Sequence, residues 1–156
     1  MATLHNEILV NASIDKLWAI LSELDLLEQF DPTVKKSTLL PGAKSGLGAK
    51  RKVDMLDGKN WFEEKVTVFQ PNAALTYQLT DCSFPIKGLK HSYSFEQIGN
   101  QTRVKQIMEY TVKFGLLGRL LDSLMIRRQT DGGIKKFLAG LKRYAEAQHD
   151  GENHVR

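Results

Sequence analysis

In the stretch GLKHSYSFEQ, residues 88–97, His91 shares one side with Tyr93 and Phe95, while Lys90, Ser92, Ser94 and Glu96 take the other. An extended chain points successive side chains to opposite faces, so this histidine belongs to the apolar face of a strand. A neutral imidazole both donates and accepts a hydrogen bond, and it can take a proton near neutral pH. Glu64 sits in the same way beside Phe62, Val66 and Val68, and Tyr110 beside Met108 and Val112. His91, Glu64 and Tyr110 are therefore the candidates for general acid or base work. Arg51, on the side of Val53 and Met55, could hold a carboxylate or an enolate, as could Arg127. Gln106 completes the set of polar residues on apolar strand faces.

A further pair lies in the C-terminal part. At 100° per residue from Leu120, Arg127 and Asp131 fall within about 20° of the centre of an apolar stripe. Being four apart, they can meet side by side. Each of these residues has a plain structural alternative. The histidine could be satisfied by a backbone carbonyl, and Arg51–Glu64 and Arg127–Asp131 could be simple ion pairs. A one-residue register slip at a bulge would turn Arg51 or Glu64 outward. Yet six polar groups on one inner surface are hard to bury dry, since each unpaired one costs about 1–3 kcal/mol. A partly polar cavity of roughly 300–1,000 Å³ accommodates them better than a close-packed core.

Three kinds of element must position these groups. Residues 3–11 alternate and predict a first strand. Two short helices follow within 13–31, the first capped by Ser13 and the second opened by an Asp25-x-x-Glu28 capping box and ended by Pro32. Strands are predicted at 34–40, 48–56, 60–70, 73–81, 88–98 and 101–113, with turn residues such as Asp57-Gly58 and Gly99-Asn100 between them. From Gly118 to about Gln148 apolar residues recur every three or four, with Leu116, Leu120, Leu124, Ile134, Leu138 and Leu141 on one side. Gly132-Gly133 could kink this helix or let something approach its backbone. The order is α+β: a seven-stranded, curved antiparallel sheet around a long C-terminal helix, with two short helices after the first strand. Residues 1–148 form a single domain, and 149–156 a polar tail.

Bulk properties narrow the function. A net charge of +4, spread over basic pairs interrupted by acids, gives no nucleic-acid footprint. The one cysteine, Cys82, rules out an internal disulfide framework and suits a reducing compartment. No apolar run reaches the roughly 20 residues of a membrane span, and the first residues lack a signal-peptide pattern, so a cytoplasmic protein without stable membrane insertion is expected. The four histidines have no ligand spacing, so no metal is expected. No phosphate loop or dinucleotide fingerprint calls for a cofactor.

The chain resembles the helix-grip fold of the START and Bet v 1-like (SRPBCC) superfamily. Within it, the chain is most similar to the polyketide cyclase/dehydrase and lipid-transport family. VNASIDKLWAILSELD matches the first strand and helix, and LGAKRKVDMLDGKNWFEEKVTVFQPNAALTYQLTD the central hairpins. QTRVKQIMEYTVK and GRLLDSLMIRRQTDGGIKKFLAGLKRYAE match the last strand and helix. The resemblance implies a cavity between sheet and helix that holds an apolar or amphipathic small molecule. Arg51 and Glu64 stand where similar sequences often carry these types, whereas His91 and Gln106 depart from them.

Two functions use the same cavity. One is binding or transport of a small hydrophobic or amphipathic ligand by Arg51, Val53, Glu64, Val66, Tyr77, His91, Tyr93, Gln106, Met108, Tyr110, Arg127 and Asp131. The other is a cyclase, aromatase or dehydratase reaction driven by His91, Glu64 or Tyr110.

Overall fold

Period-two patterning becomes one seven-stranded antiparallel sheet in the order β1-β7-β6-β5-β4-β3-β2. A computed structural model describes residues 1–113, 115, 117, 120 and 125–154, the last seven by backbone alone. The strands are β1 (Ala2–Val10), β2 (Val34–Leu39), β3 (Lys50–Met55), β4 (Trp61–Gln70), β5 (Ala74–Cys82), β6 (Ile86–Ile98) and β7 (Gln101–Val112). Between β1 and β2 lie α1 (Ile14–Ser22), a 3₁₀ turn (Leu24–Leu26) and α2 (Leu27–Phe30). The long helix α3 spans Arg127–His154. This is the α+β architecture that alternation and helical spacing predict.

Local chemistry explains the joints. Ser13 caps α1 by accepting from the Lys16 amide at 3.2 Å. The expected Asp25–Glu28 capping box does not form: Asp25 lies inside the 3₁₀ turn, and α2 starts at Leu27 without a side-chain cap. Between β3 and β4, Asp57 Oδ1 accepts from the Lys59 and Asn60 amides, both at 2.8 Å, and Gly58 turns with φ +72°. Pre-formed turns of this kind keep the hairpin registers fixed.

The core lies between the inner face of the sheet and the helices. Trp18 of α1 meets Phe69 and Phe95 edge-on, with ring centroids 5.1 and 6.2 Å apart, which closes one end of the sheet. Helix α3 buries Ile134, Phe137, Leu138, Leu141 and Ala145. Leu120, expected on this stripe, is exposed. Gly118, Leu116 and Leu124 lie outside the described residues. A π-helical turn at Met125 and Ile126 leads into α3, which continues past the expected end at 148 to His154.

The glycines of α3 divide by surroundings. The helix runs unbroken through Gly132-Gly133, and an added Cβ at either would meet nothing within 4 Å. The close approach is at Gly140, where a Cβ would collide with the Phe30 carbonyl oxygen. Gly132→Ala should therefore stabilise the protein by about 1 kcal/mol, the propensity difference with no steric opposition. Urea denaturation checks this; an unchanged or lower midpoint would show that the site is crowded.

Candidate functional site

Strand register assembles a polar cluster on the inner face. Arg51 of β3 lies directly opposite Glu64 of β4, Tyr77 of β5 opposite His91 of β6, and Tyr93 of β6 opposite Gln106 of β7. Arg51, Glu64 and Gln106 are 5%, 1% and 2% exposed, so their contacts must be made within the protein.

The Arg51 guanidinium grips one oxygen of Glu64, with Nε at 2.8 Å and Nη2 at 2.7 Å from Oε1. Its Nη1 donates to the Leu24 carbonyl at 3.1 Å, and its face lies 4.2 Å from the Tyr77 ring centroid. Tyr77 is fixed in turn by donating to the Leu21 carbonyl at 2.7 Å. Burial works against the Arg51 charge, but Glu64 and the tyrosines outweigh it and raise its pKa. Burial pushes Tyr77 up to about 12 and raises Tyr93 further, with help from Glu64. Both phenols remain protonated near neutral pH.

Beside this pair, the Gln106 amide nitrogen lies 3.3 Å from His91 Nδ1. His91 Nε2 faces Glu64 Oε2 at 3.9 Å, too far for a hydrogen bond. Among the described residues, Glu64 Oε2 and Gln106 Oε1 are buried without hydrogen-bond partners. Burial lowers the His91 pKa; Glu64 opposes the shift and Arg51 adds to it. The ring is neutral at pH 7.

That shift has a measurable consequence. In the unfolded chain His91 titrates near its ordinary value, about 6.5, and in the folded chain lower. As pH falls below about 6.5 the unfolded state takes up the proton first, so His91 subtracts stability in that window. Nearby Asp31 acts oppositely: burial raises its pKa against the Thr33 hydrogen bonds and Arg51, so its contribution is lost as pH rises through the raised value. Subtracting the melting profile of His91→Asn from the parent isolates the histidine. The variant should lose less stability between pH 7.5 and about 5; parallel profiles would mean that His91 is freely solvated.

These groups form one end of a cavity of about 340 Å³ between the sheet and α3. Its remaining wall is mainly apolar: Leu27, Val34, Met55, Phe62, Leu79, Leu89, Met108, Ile134 and Phe137 among others. Phe84 and Pro85 from the β5–β6 connection, Ile86 at the start of β6, Ile126 just before α3, and Gln129 and Thr130 in its first turn complete the lining, and of these Pro85 and Gln129 are exposed. Gly133 contributes bare backbone to the wall.

The structure brings six of the twelve expected binding residues to this cavity: Arg51, Glu64, His91, Tyr93, Gln106 and Met108. Val53 and Val66 are buried in the core and do not line it, and Tyr77 acts behind Arg51. Tyr110 is buried opposite Ala2 of β1 and does not line the cavity. The expected Arg127–Asp131 pair does not meet. Arg127 donates to the Thr3 carbonyl at 3.1 Å, while Asp131 accepts from Asn6 at 2.9 Å and pairs with Lys135 at 2.7 Å. Lys142 donates to the Leu9 carbonyl at 2.8 Å, and Glu146 accepts from the Asn11 amide at 2.9 Å. This polar seam fastens one flank of α3 to β1, the edge strand of the sheet among the described residues.

Sequence reasoning missed Asp31, Thr33, Phe84, Pro85 and Gln129, which lie outside any strand period. It also missed Leu89, which two more residues of the His91 alternation would have reached. Asp31 Oδ1 accepts from the Thr33 amide at 2.9 Å and its hydroxyl at 2.7 Å, adding a second carboxyl group to the cavity wall.

Residues 1–146 match the family described as "Polyketide cyclase / dehydrase and lipid transport". Solved structures share the fold. XoxI from Bacillus cereus has a TM-score of 0.76 at 16% identity, covering 96% of this chain and 99% of its own. A START superfamily protein from Mycobacterium smegmatis has 0.77 at 16%, covering 94% and 98%. Ara h 8.0201 has 0.74 at 14%, covering 94% and 98%. Identities this low establish the fold alone. No curated protein matches the sequence.

Proposed function

This chain belongs to the polyketide cyclase/dehydrase and lipid transport family, and from that premise we propose that it binds a small, mostly apolar molecule in the cavity between the sheet and α3. Family and fold support a ligand-binding role in general. The observation that carries the specific reading is the cavity itself: about 340 Å³, apolar over most of its wall, with Glu64 Oε2 and Gln106 Oε1 unpartnered at one end. Apolar volume supplies affinity, and a few fixed polar atoms orient the guest. Among the described residues no helix is long and apolar enough to cross a bilayer.

Gly133 offers a test that leaves the polar cluster intact. Gly133→Leu removes a helix-weakening glycine and projects a side chain from the cavity wall. The neutral fluorophore N-phenyl-1-naphthylamine should bind the parent, and Gly133→Leu should abolish binding with the melting temperature unchanged or higher. Equal binding by both proteins would refute occupancy of this cavity.

A second reading, an enzyme of the cyclase or dehydratase type, is favoured by one observation: a neutral imidazole 3.9 Å from a carboxylate oxygen. Such a histidine could accept a proton while Glu64 steadied the resulting imidazolium. His91→Asn separates the readings. It removes titration and keeps a polar contact, so loss of turnover without loss of affinity identifies catalysis.

A further inference from the structure

Resting on the cavity-binding reading, we propose that the polar end of the cavity selects a hydroxyl group, seated between His91 and Glu64, and rejects carboxylic acids. Both arginine bonds to Glu64 fall on Oε1, which leaves Oε2 buried and free as an acceptor. On the histidine, the Gln106 amide nitrogen donates to Nδ1, which places the ring proton on Nε2. That proton faces Glu64 Oε2 across 3.9 Å. An oxygen about 2.8 Å from each atom spans this gap with an angle of roughly 90° at its centre, close to what a hydroxyl adopts. The bridging group must accept from Nε2 and donate to Oε2 at once. A hydroxyl does both. An ether or ketone lacks the proton, an ammonium lacks the lone pair, and a carboxylate lacks the proton and adds a charge.

Charge points the same way. Asp31 and Glu64 set two carboxyl groups against one guanidinium on the cavity wall, and His91 is neutral. Arg51 is not poised for an incoming acid, because it is already engaged by Glu64 Oε1, the Leu24 carbonyl and the Tyr77 ring. Gln106 Oε1, the other partnerless acceptor, again calls for a donor. A bound carboxylate would face these acceptors; a hydroxyl would satisfy one of them.

Four probes on one ring system test this: 2-naphthol, 2-methoxynaphthalene, 2-naphthoic acid and 2-naphthylmethylamine, titrated at pH 7 by calorimetry. The naphthol should bind at least about tenfold tighter than the methoxy compound, because the methoxy oxygen leaves Glu64 Oε2 unpartnered. The naphthoate should bind weakest. In His91→Phe the advantage of naphthol over methoxynaphthalene should shrink to threefold or less; should that variant not fold, the ranking on the parent decides alone. Equal affinities for all four, or tightest binding by the acid or the amine, would overturn the hydroxyl inference and leave the cavity reading standing. Failure of every probe to bind would remove both.

Discussion

Arg51→Met should destabilise the protein by about 3–5 kcal/mol, because it strands a carboxylate that is 1% exposed. The loss is asymmetric. Arg51 supplies both hydrogen bonds to Glu64 Oε1, and the nearest other cationic group is His91, which burial keeps neutral. The Leu24 carbonyl is less affected, since the Ser37 hydroxyl also donates to it at 3.1 Å. Replacing both partners, Arg51→Met with Glu64→Leu, should recover most of the loss, because apolar side chains of similar size need no desolvation. Urea denaturation of the two single variants and the double completes the cycle. A loss below about 1 kcal/mol for Arg51→Met would mean that water reaches the pair and that the polar end of the cavity is open.

The cavity's polar end was legible in the sequence because its members obey a local rule. Alternation depends only on neighbours in the chain, so Arg51, Glu64, His91, Tyr93 and Gln106 could be placed on one face without knowing which strands pair. Cross-strand register, set by the turns, then makes Arg51 and Glu64 direct neighbours. Met55, Phe62, Leu79 and Met108 of the wall follow the same alternation, whereas another part of it comes from segments without a period. Asp31 and Thr33 flank a proline, and Phe84 and Pro85 sit in a strand connection, so nothing local announces where they point.

In the helix, spacing alone misplaces a pair of residues for a different reason. Arg127 and Asp131 do lie toward the apolar side by angle, but a phase counted from Leu120, which is exposed, runs across the π-helical turn at Met125 and Ile126. The flank they occupy meets β1, an edge strand whose Thr3 and Leu9 carbonyls accept from Arg127 and Lys142, rather than the middle of the sheet. Polar residues there serve the edge backbone, and that need is invisible until the strand order is known.

Gly140→Ala should destabilise by about 2–3 kcal/mol, although alanine is the better helix former by about 1 kcal/mol. The added methyl would strike the carbonyl oxygen of Phe30 and come within 3.0 Å of Pro32 Cδ. Neither is the movable end of a side chain, so α2 or α3 must shift. The contact is anchored on both sides of the clash. Phe30 packs its ring 5.6 Å from Phe137 and 5.9 Å from Tyr144, and α2 is only four residues long. Separating the helices here loosens the cavity as well, since Leu27 and Phe137 both line it. The comparison with Gly132→Ala makes the measurement decisive. The two substitutions are chemically identical and lie in the same helix, so propensity acts equally on both. Only the surroundings differ: open space at Gly132, a backbone oxygen at Gly140. Urea midpoints should therefore move in opposite directions. If Gly140→Ala rises together with Gly132→Ala, the close approach of α2 to α3 is not a constraint on the fold, and the end of the cavity beside Leu27 is free to widen.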